Sequence, residues 1–149
     1  MRIALFQPDQ AGNVGTILRT AACLGVGVDI IEPTGFPWSD KALKRAGMDY
    51  AELADVRRHA EWSAFEAEVA GRLVLLTTRG AVRFDEAQFL PGDTLLMGSE
   101  SAGVPDAVRD RADLRVRIPQ VAGTRSLNIA VAAGIALAEA LRQTKGWSE

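Results

Sequence analysis

Short apolar runs alternate with helical patterns along the whole chain. Apolar runs bounded by Gly, Pro or Asp predict strands at residues 2–6, 28–31, 73–77, 94–97 and 114–118, with a weaker candidate at 56–59. Helical spacing of apolar residues predicts helices at 14–24, 41–46, 62–69, 106–111 and 126–143. This alternation predicts a single α/β domain over residues 1–149, with a mostly parallel sheet and helices on both faces.

The first and the last predicted helix are unusually apolar. The first has an apolar stripe on one side, and its other side is expected to carry small residues around Arg19, namely Gly15, Ala22 and Cys23. The last is apolar all round except for a narrow edge of Asn128, Glu139 and Gln143. A helix that is apolar all round is buried all round, which a second copy of the chain explains most simply. We therefore expect a homodimer formed through these two helices.

The composition is that of an average globular protein and excludes several classes. The 48% of hydrophobic residues and 24% of charged residues rule out a disordered, collagen-like or disulfide-rich chain. The lone Cys23 and the lone His59 argue against a zinc site, so no metal is expected. The chain starts with a strand pattern rather than a signal peptide, and its longest apolar stretch is too short for a membrane span. The expected location is the cytoplasm.

In an open α/β sheet, ligands bind beyond the carboxyl ends of the strands, and the segments that follow the strands here carry polar and glycine residues. Asn13, after the first strand, is well placed to cap the next helix, with Gly12 giving a tight turn. A constrained loop around Glu100 follows the strand that ends at Met97. Before the last helix, Thr124 or Ser126 is expected as the N-cap and Asn128 as a buried hydrogen-bonding residue.

Two nucleotide signatures are missing, and the net charge of −2 gives no overall attraction for a polyanion. Neither a complete G-x-G-x-x-G nor a P-loop motif occurs. Any RNA must therefore be held by a local basic patch. The first candidate is a helix face with Lys41, Lys44 and Arg45, close to aromatic residues; the clusters at 57–59 and at Arg79 with Arg83 are equally compatible with solvated surface.

Three motifs together resemble those of the SPOUT, or trefoil-knot, RNA 2′-O-ribose methyltransferases, over nearly the whole chain. They are Asn13-Val-Gly15-Thr-Ile-Leu-Arg19, Gly98-Ser-Glu100-Ser-Ala-Gly103-Val-Pro105 and Ser126-Leu127-Asn128. Intervening segments resemble the short TrmL/YibK-like branch of the family. The resemblance implies 2′-O-methylation at the wobble position of the tRNA anticodon stem-loop, at cytidine or modified uridine, with leucine tRNAs as the expected substrates.

The resemblance further implies a deep trefoil knot in the C-terminal third and S-adenosylmethionine as the cofactor. The residues expected to line the cofactor pocket are Leu76, Thr77, Gly98, Glu100, Gly103, Ile118, Ser126 and Leu127. Arg19 would reach the methyl-transfer centre, either of its own subunit or across the dimer, with Asn13 and Asn128 holding the loops in register. Ala130 and Ala138 depart from the family, which often has polar residues in this helix.

Arg19 admits two roles, general base or stabiliser of the ribose alkoxide. A guanidinium keeps its proton at ordinary pH, which favours the second role. Two other functions stay open on sequence alone. One is a ribose methyltransferase of the same fold that acts on ribosomal RNA or on another tRNA position. The other is a dimeric RNA- or nucleotide-binding module without turnover.

Overall fold

The computed structural model describes residues 1–45, 54–79 and 81–149, except for the side chains of residues 40, 43 and 45. Its strands are β1 (Arg2–Phe6), β2 (Gly27–Ile31), β3 (Val56–His59), β4 (Leu73–Leu76), β5 (Val82–Arg83), β6 (Thr94–Met97) and β7 (Leu114–Arg117). Its helices are α1 (Ala11–Leu24), α2 (Asp40–Arg45), α3 (Trp62–Glu66), α4 (Asp106–Arg111) and α5 (Ile129–Thr144).

The strands of the described part form one sheet in the order β3-β2-β1-β6-β4-β7-β5, with parallel pairing throughout. The register brings Leu5 beside Met97, Met97 beside Leu76 and Leu76 beside Val116. The carboxyl ends of β1, β6, β4 and β7 therefore meet at one edge of the sheet. The strand β1 pairs with β2 on one side and with β6 on the other, so the strand order reverses there. Ligands of open α/β sheets bind at such a topological switch point.

Two apolar layers cover the sheet. One face carries α1 and α5, whose buried Ile17, Leu18 and Leu137 pack on alternate residues of the central strands. The other face is covered by α3 and α4, which contribute Phe65 and Val108 to a smaller core. The alternation follows from the period of two along a strand, which sends successive side chains to opposite faces. The prediction of a mostly parallel sheet with helices on both faces is confirmed.

The predicted elements are all present, and the differences concern their ends. The strand β5 was not predicted, because two residues are too few to form a pattern. The helix α3 ends at Glu66 rather than at residue 69, and α5 begins at Ile129 rather than at 126. The predicted end of α2 at Ala46 lies outside the described residues. The weak candidate at 56–59 is a strand at the edge of the sheet.

In the single chain the last helix is buried on one face only, so its expected burial by a second copy stays a prediction. One face of α5 is buried, but Val131 is 51% exposed, and Leu127 just before the helix is also exposed. The helix α1 shows the predicted apolar stripe, yet Gly15 belongs to its buried side rather than to the exposed side with Arg19 and Cys23. The homodimer stays a prediction. None of the described helices is long and apolar enough to cross a membrane.

The C-terminal segment returns from one end of the sheet to its middle. The strand β7 lies near one end of the sheet, and the chain then returns to its middle, where α5 packs against α1 and β6. Between them, residues 118–128 pass the carboxyl edge of the sheet. The threading itself stays a prediction from the family resemblance.

Candidate active site

A cleft of about 760 Å³ opens beyond the carboxyl ends of β4, β6 and β7. The loop that follows β6 forms one wall, and the start of α5 forms another. Gln10 and Asn13, at the start of α1, close one side. All eight predicted cofactor residues line this cleft: Leu76, Thr77, Gly98, Glu100, Gly103, Ile118, Ser126 and Leu127. The structure therefore brings together residues that are up to 51 positions apart in the sequence; their role toward a cofactor stays a prediction.

The loop after β6 is folded back on itself as a tight turn. The backbone N–H of Ser99 donates to the carbonyl of Gly103 at 3.0 Å, and the N–H of Gly103 donates back to Ser99 at 2.9 Å. A Cβ on Gly98 would lie 2.8 Å from the Cα of Gly103, so only glycine fits there, and Gly103 itself has a φ of +66°. The two glycines of the second motif are therefore needed for the shape of the cleft wall.

Asn13 connects the three motif segments. Its side-chain amide donates to Glu100 Oε1 at 3.1 Å, and its carbonyl oxygen Oδ1 accepts from Asn128 Nδ2 at 3.0 Å. Asn128 Oδ1 in turn accepts from the backbone N–H groups of Ala130 and Val131, at 2.8 and 3.3 Å, in the first turn of α5. One chain of hydrogen bonds thus joins the start of α1, the loop after β6 and the start of α5.

Two capping predictions are corrected by this arrangement. The helix α1 begins at Ala11 with Gln10 as its N-cap, so Asn13 and Gly12 lie inside the first turn rather than before it. Asn13 faces the neighbouring loops, and Gln10 makes no side-chain cap hydrogen bond. At α5 the N-cap is Asn128 rather than Thr124 or Ser126, and Asn128 is exposed rather than buried. An asparagine in this position satisfies two N–H groups that the first turn leaves without partners.

The carboxyl group of Asp9 lies beside that of Glu100. The backbone N–H of Asp9 donates to Glu100 Oε2 at 3.2 Å, and the N–H of Ser101 donates to Asp9 Oδ2 at 3.3 Å. Burial raises the pKa of Glu100, and the carboxyl of Asp9 raises it further. The pKa of Asp9 is lowered, chiefly by its hydrogen bond with Glu100. Asp9 Oδ1 is buried and has no hydrogen-bond partner among the described residues, and a proton held between the two carboxyl groups would satisfy it.

Arg19 does not line the cleft of its own chain. It is exposed on α1, six residues beyond Asn13, which corresponds to about 9 Å along a helix axis. The face that carries Arg19 points away from the core of its own chain. The cleft of one chain is therefore built without the guanidinium that the family resemblance places at the reacting centre.

The predicted RNA-binding lysines also lie away from the cleft. Lys41 and Lys44 are exposed on α2 and are absent from the cleft lining. The side chain of Arg45 lies outside the described residues. Next to α2, Phe36 stacks on Trp38 with ring centroids 6.2 Å apart, and the guanidinium of Arg58 lies 5.0 Å from the Trp38 ring. Both aromatic rings pack against the core, so neither is an open platform for a base.

Sequence reasoning missed some residues of the cleft. Arg109 lines it from α4, and nothing in the helical pattern of residues 106–111 marked it. Arg79, which the sequence grouped with Arg83 as a basic cluster, also lines the cleft, in the loop that follows β4. Asp9 was missed because its effect depends on a partner 91 positions away. The described residues contain no group of His, Cys, Asp and Glu that could hold a metal ion.

Comparison with known proteins gives the family of this chain. The model of the SpoU rRNA Methylase family matches residues 1–138, and the chain belongs to this family. A tRNA (cytidine(34)-2'-O)-methyltransferase of Ancylobacter novellus is 51% identical over 152 residues, which cover 99% of this chain and 96% of that protein. The family resemblance carried by the three motifs is confirmed.

Solved structures agree with the sequence comparison. A structure reported as giving structural insights into the 2-OH methylation of C/U34 on tRNA superposes with a TM-score of 0.90 and 41% identity, covering 97% of this chain and 96% of that one. An AdoMet-bound rRNA methyltransferase of Sinorhizobium meliloti is 32% identical, with a TM-score of 0.82 over 95% of this chain and 55% of that chain. The similarity extends over nearly the whole length of this protein.

Proposed function

We propose that this protein transfers the methyl group of S-adenosylmethionine to the 2′-hydroxyl of the ribose at wobble position 34 of tRNA. The expected nucleotides are cytidine or a modified uridine, and the expected substrates are leucine tRNAs in the cytoplasm. The observation that carries the proposal is the cleft in which the three motif segments meet through Asn13. The relative that is 51% identical over nearly the whole chain bears the name of this activity.

The cleft suits a ligand of the size and shape of S-adenosylmethionine. Its volume of about 760 Å³ lies within the usual range of small-molecule sites. The turn at Gly98 and Gly103 leaves backbone groups, rather than side chains, on one wall. Leu76, Ile118 and Leu127 give the apolar surface. When bound, the cofactor supplies an electrophilic methyl group on a sulfonium centre.

The protein must align the ribose hydroxyl and stabilise the charge that develops on its oxygen as it is methylated. Arg19 takes this second role, because a protonated guanidinium can hold an alkoxide but cannot accept its proton. The proton passes to water or to a nearby phosphate. Asn13 and Asn128 keep the cleft walls in register, as their mutual hydrogen bond of 3.0 Å supports.

We extend the proposal to a homodimer in which Arg19 serves the cleft of the other chain. Arg19 lies outside the lining of its own cleft, and α5 exposes apolar side chains, including Val131. Pairing of the α1 and α5 surfaces would cover these side chains and bring a second cleft within reach of Arg19. Light scattering at micromolar concentration is expected to give the mass of a dimer, and a stable monomer would contradict this part of the proposal.

The function is tested by the nucleosides of tRNA. In a strain that lacks this protein, mass spectrometry of wobble nucleosides is expected to show loss of the 2′-O-methyl group at position 34. Purified protein should restore it with S-adenosylmethionine as the methyl donor. Methylation of ribosomal RNA instead, or of no RNA at all, would show that the proposed substrate is wrong.

Arg19→Ala separates catalysis from binding. Loss of one charge-stabilising donor is expected to reduce the turnover number by about 10²–10³-fold and to leave the affinity for S-adenosylmethionine nearly unchanged. Single-turnover methylation and calorimetry measure the two quantities. Normal turnover at saturating tRNA would exclude the role proposed for Arg19.

Lys41 and Lys44 are proposed to contact tRNA phosphates, with Arg45 beside them. The double variant Lys41→Ala with Lys44→Ala is expected to weaken tRNA binding and to lower the salt dependence by roughly one counterion per lysine, with saturated turnover largely intact. Lys145→Ala, which removes an exposed lysine at the end of α5, is the control. Equal affinities and salt slopes in the double variant and the wild type would refute the contact.

A further inference from the structure

Three arginines gather around the loop that follows β4. Arg109, on α4, donates from Nη2 to the carbonyl of Arg79 at 3.0 Å. Arg117, at the end of β7, donates from Nε to the carbonyl of Ala81 at 3.1 Å. The third member is Arg79 itself, whose side chain is exposed. We call Arg79, Arg109 and Arg117 the arginine cluster.

The members of the arginine cluster lack the carboxylate partners that other arginines have. In the part of the chain that the structure describes, none of the three forms a salt bridge, whereas Arg72, Arg83 and Arg142 each pair with a carboxylate at 2.8 Å. The charge of Arg117 contributes slightly to the lowered pKa of Asp85, but the main cause is the hydrogen bond between Asp85 and Arg83. Three like charges at one loop repel each other unless an anion joins them.

The cluster lies at the mouth of the cleft. Arg79 and Arg109 both line it, together with Asp106 one turn before Arg109 on α4. The loop at Arg79 directly follows Leu76 and Thr77, which are expected to hold the cofactor. Arg117 is absent from the lining and is bonded to the carbonyl of Ala81 in the same loop. An anion held by Arg79 and Arg109 would lie within or next to the cleft.

We propose that the arginine cluster binds a backbone phosphate of the substrate RNA, next to the nucleotide whose ribose enters the cleft. This inference rests on the proposed function and names a contact of the same site. A guanidinium presents a fork of donors that matches phosphate oxygens, and phosphate contacts fix the register of a nucleic acid on a protein. A chain with a net charge of −2 needs such local clusters to hold RNA.

Arg79→Gln is the sharpest variant. Within the described residues its guanidinium makes no contact, and its backbone carbonyl, which accepts from Arg109, is kept. The affinity for a tRNA anticodon stem-loop, measured by fluorescence anisotropy over a range of salt concentrations, is expected to fall by roughly 3- to 10-fold. The slope of log affinity against log salt should decrease by about 0.7–0.9. Arg79→Lys should keep most of the slope, because it keeps the charge.

Arg142→Gln is the matched control. It also removes an exposed arginine, but at the last turn of α5 and from a pair with Glu139. Its RNA affinity and salt slope should equal those of the wild type. The affinity of Arg79→Gln for S-adenosylmethionine should stay within about twofold of the wild type.

Two outcomes would overturn the proposal. In the first, Arg79→Gln binds RNA with unchanged affinity and salt slope. In the second, it binds RNA normally but loses affinity for S-adenosylmethionine, which would assign the cluster to the carboxylate of the cofactor. Methylation of tRNA by the wild type tests the proposed function separately. If the wild type does not methylate tRNA, the cluster is still judged by the difference in RNA binding between wild type and variant.

Discussion

Two polar networks join distant segments of this protein in opposite ways. The sheet network consists of Arg2, Asp29 and His59, and it crosses the paired strands β1, β2 and β3. Asp29 is 4% exposed, accepts from Arg2 Nε at 2.6 Å and lies 2.7 Å from His59 Nε2. Burial would lower the pKa of Arg2, but its hydrogen bonds with Asp29 and Asp55 outweigh burial and raise it. Opposite charges face each other in this network.

The cleft network consists of Asp9, Asn13, Glu100 and Asn128, and it joins loops rather than strands. Its links are amide and carboxyl hydrogen bonds of 3.0 to 3.2 Å in a half-open cleft. No cation is bonded to either carboxyl group among the described residues. The buried Asp9 Oδ1 has no hydrogen-bond partner among them, and a proton shared with Glu100 would satisfy it.

The difference shows what each network is suited to do. A buried and charge-paired network strongly penalises loss of one member, because the remaining charge is left without a partner. A network at a half-open cleft with no cation bonded to it adds less to stability, but it fixes the relative position of three loops, on which binding and rate depend. We therefore expect substitutions in the sheet network to affect folding and substitutions in the cleft network to affect activity.

Asp29→Asn should have the largest effect. It keeps the shape and removes the charge that holds Arg2 beside the buried His59. The free energy of unfolding is expected to fall by about 3 kcal/mol, at the low end for a broken buried pair, because Arg2 keeps Asp55. Urea unfolding followed by circular dichroism measures this, and the turnover number per folded molecule should not change.

The control is Asp85→Asn, which removes a carboxylate from the exposed pair with Arg83. Exposed pairs contribute little to stability, because solvent screens them. Equal losses of stability in Asp29→Asn and Asp85→Asn would mean that the sheet network contributes no more than a surface pair.

Asn13→Ala should show the opposite pattern. It removes the links to both Glu100 and Asn128, so the three loops lose their common contact. The expected result is a reduction of kcat/KM by about 10- to 100-fold, because small misplacements of the reacting groups are costly. The free energy of unfolding should fall by only about 1 kcal/mol.

Thr16→Ala is the control on the same helix. Its hydroxyl donates to the carbonyl of Gly12 and is exposed, so its removal should leave kcat/KM unchanged. If Asn13→Ala costs as much stability as Asp29→Asn and leaves the activity of the folded fraction intact, the distinction between the two networks is wrong.

The fold was largely predictable from sequence because its signals are local. Apolar runs such as 94–97 are buried on both faces of a parallel sheet and stand out without any tertiary information. The glycines of the second motif were also predictable, since a tight turn and a left-handed φ restrict those positions to glycine. The residues of the cleft lining followed from the family resemblance, and they agree with the rule that ligands bind at strand ends.

The remaining features depend on contacts between distant parts of the chain. The function of Asn128 as the N-cap was missed because Ser126 and Thr124 have similar cap preferences, and only the hydrogen bond with Asn13 distinguishes them. Val131 belongs to an apolar pattern but is exposed in the single chain. Sequence periodicity could not foresee this, because it cannot tell a core from an interface with a second chain. Asp9 and Arg109 form hydrogen bonds with residues far away in the sequence, Glu100 and Arg79, so no short sequence pattern could reveal these contacts.

The smallest expected effect concerns the proton shared by Asp9 and Glu100. Because the folded protein raises the pKa of Glu100 above its ordinary 4.5, the stability from this proton is present below pH 4.5 and is lost as pH rises through the raised value. The lowered pKa of Asp9 acts the other way, and its contribution is lost only as pH falls through that lowered value. The pair should therefore stabilise the fold most in mildly acidic solution.

Asp9→Asn removes the negative charge and leaves burial as the main cause that raises the pKa of Glu100. The melting temperature of the wild type, relative to this variant, is expected to fall between pH 4.5 and about pH 7 by a few degrees. Glu100→Gln should remove the pH dependence in this range, and adding Asp9→Asn to it should cause no further loss, since Glu100 is the group that releases its proton there. Parallel melting curves of wild type and Asp9→Asn across this range would show that the two carboxyl groups titrate independently. In that case the cleft network is held by its asparagine links alone.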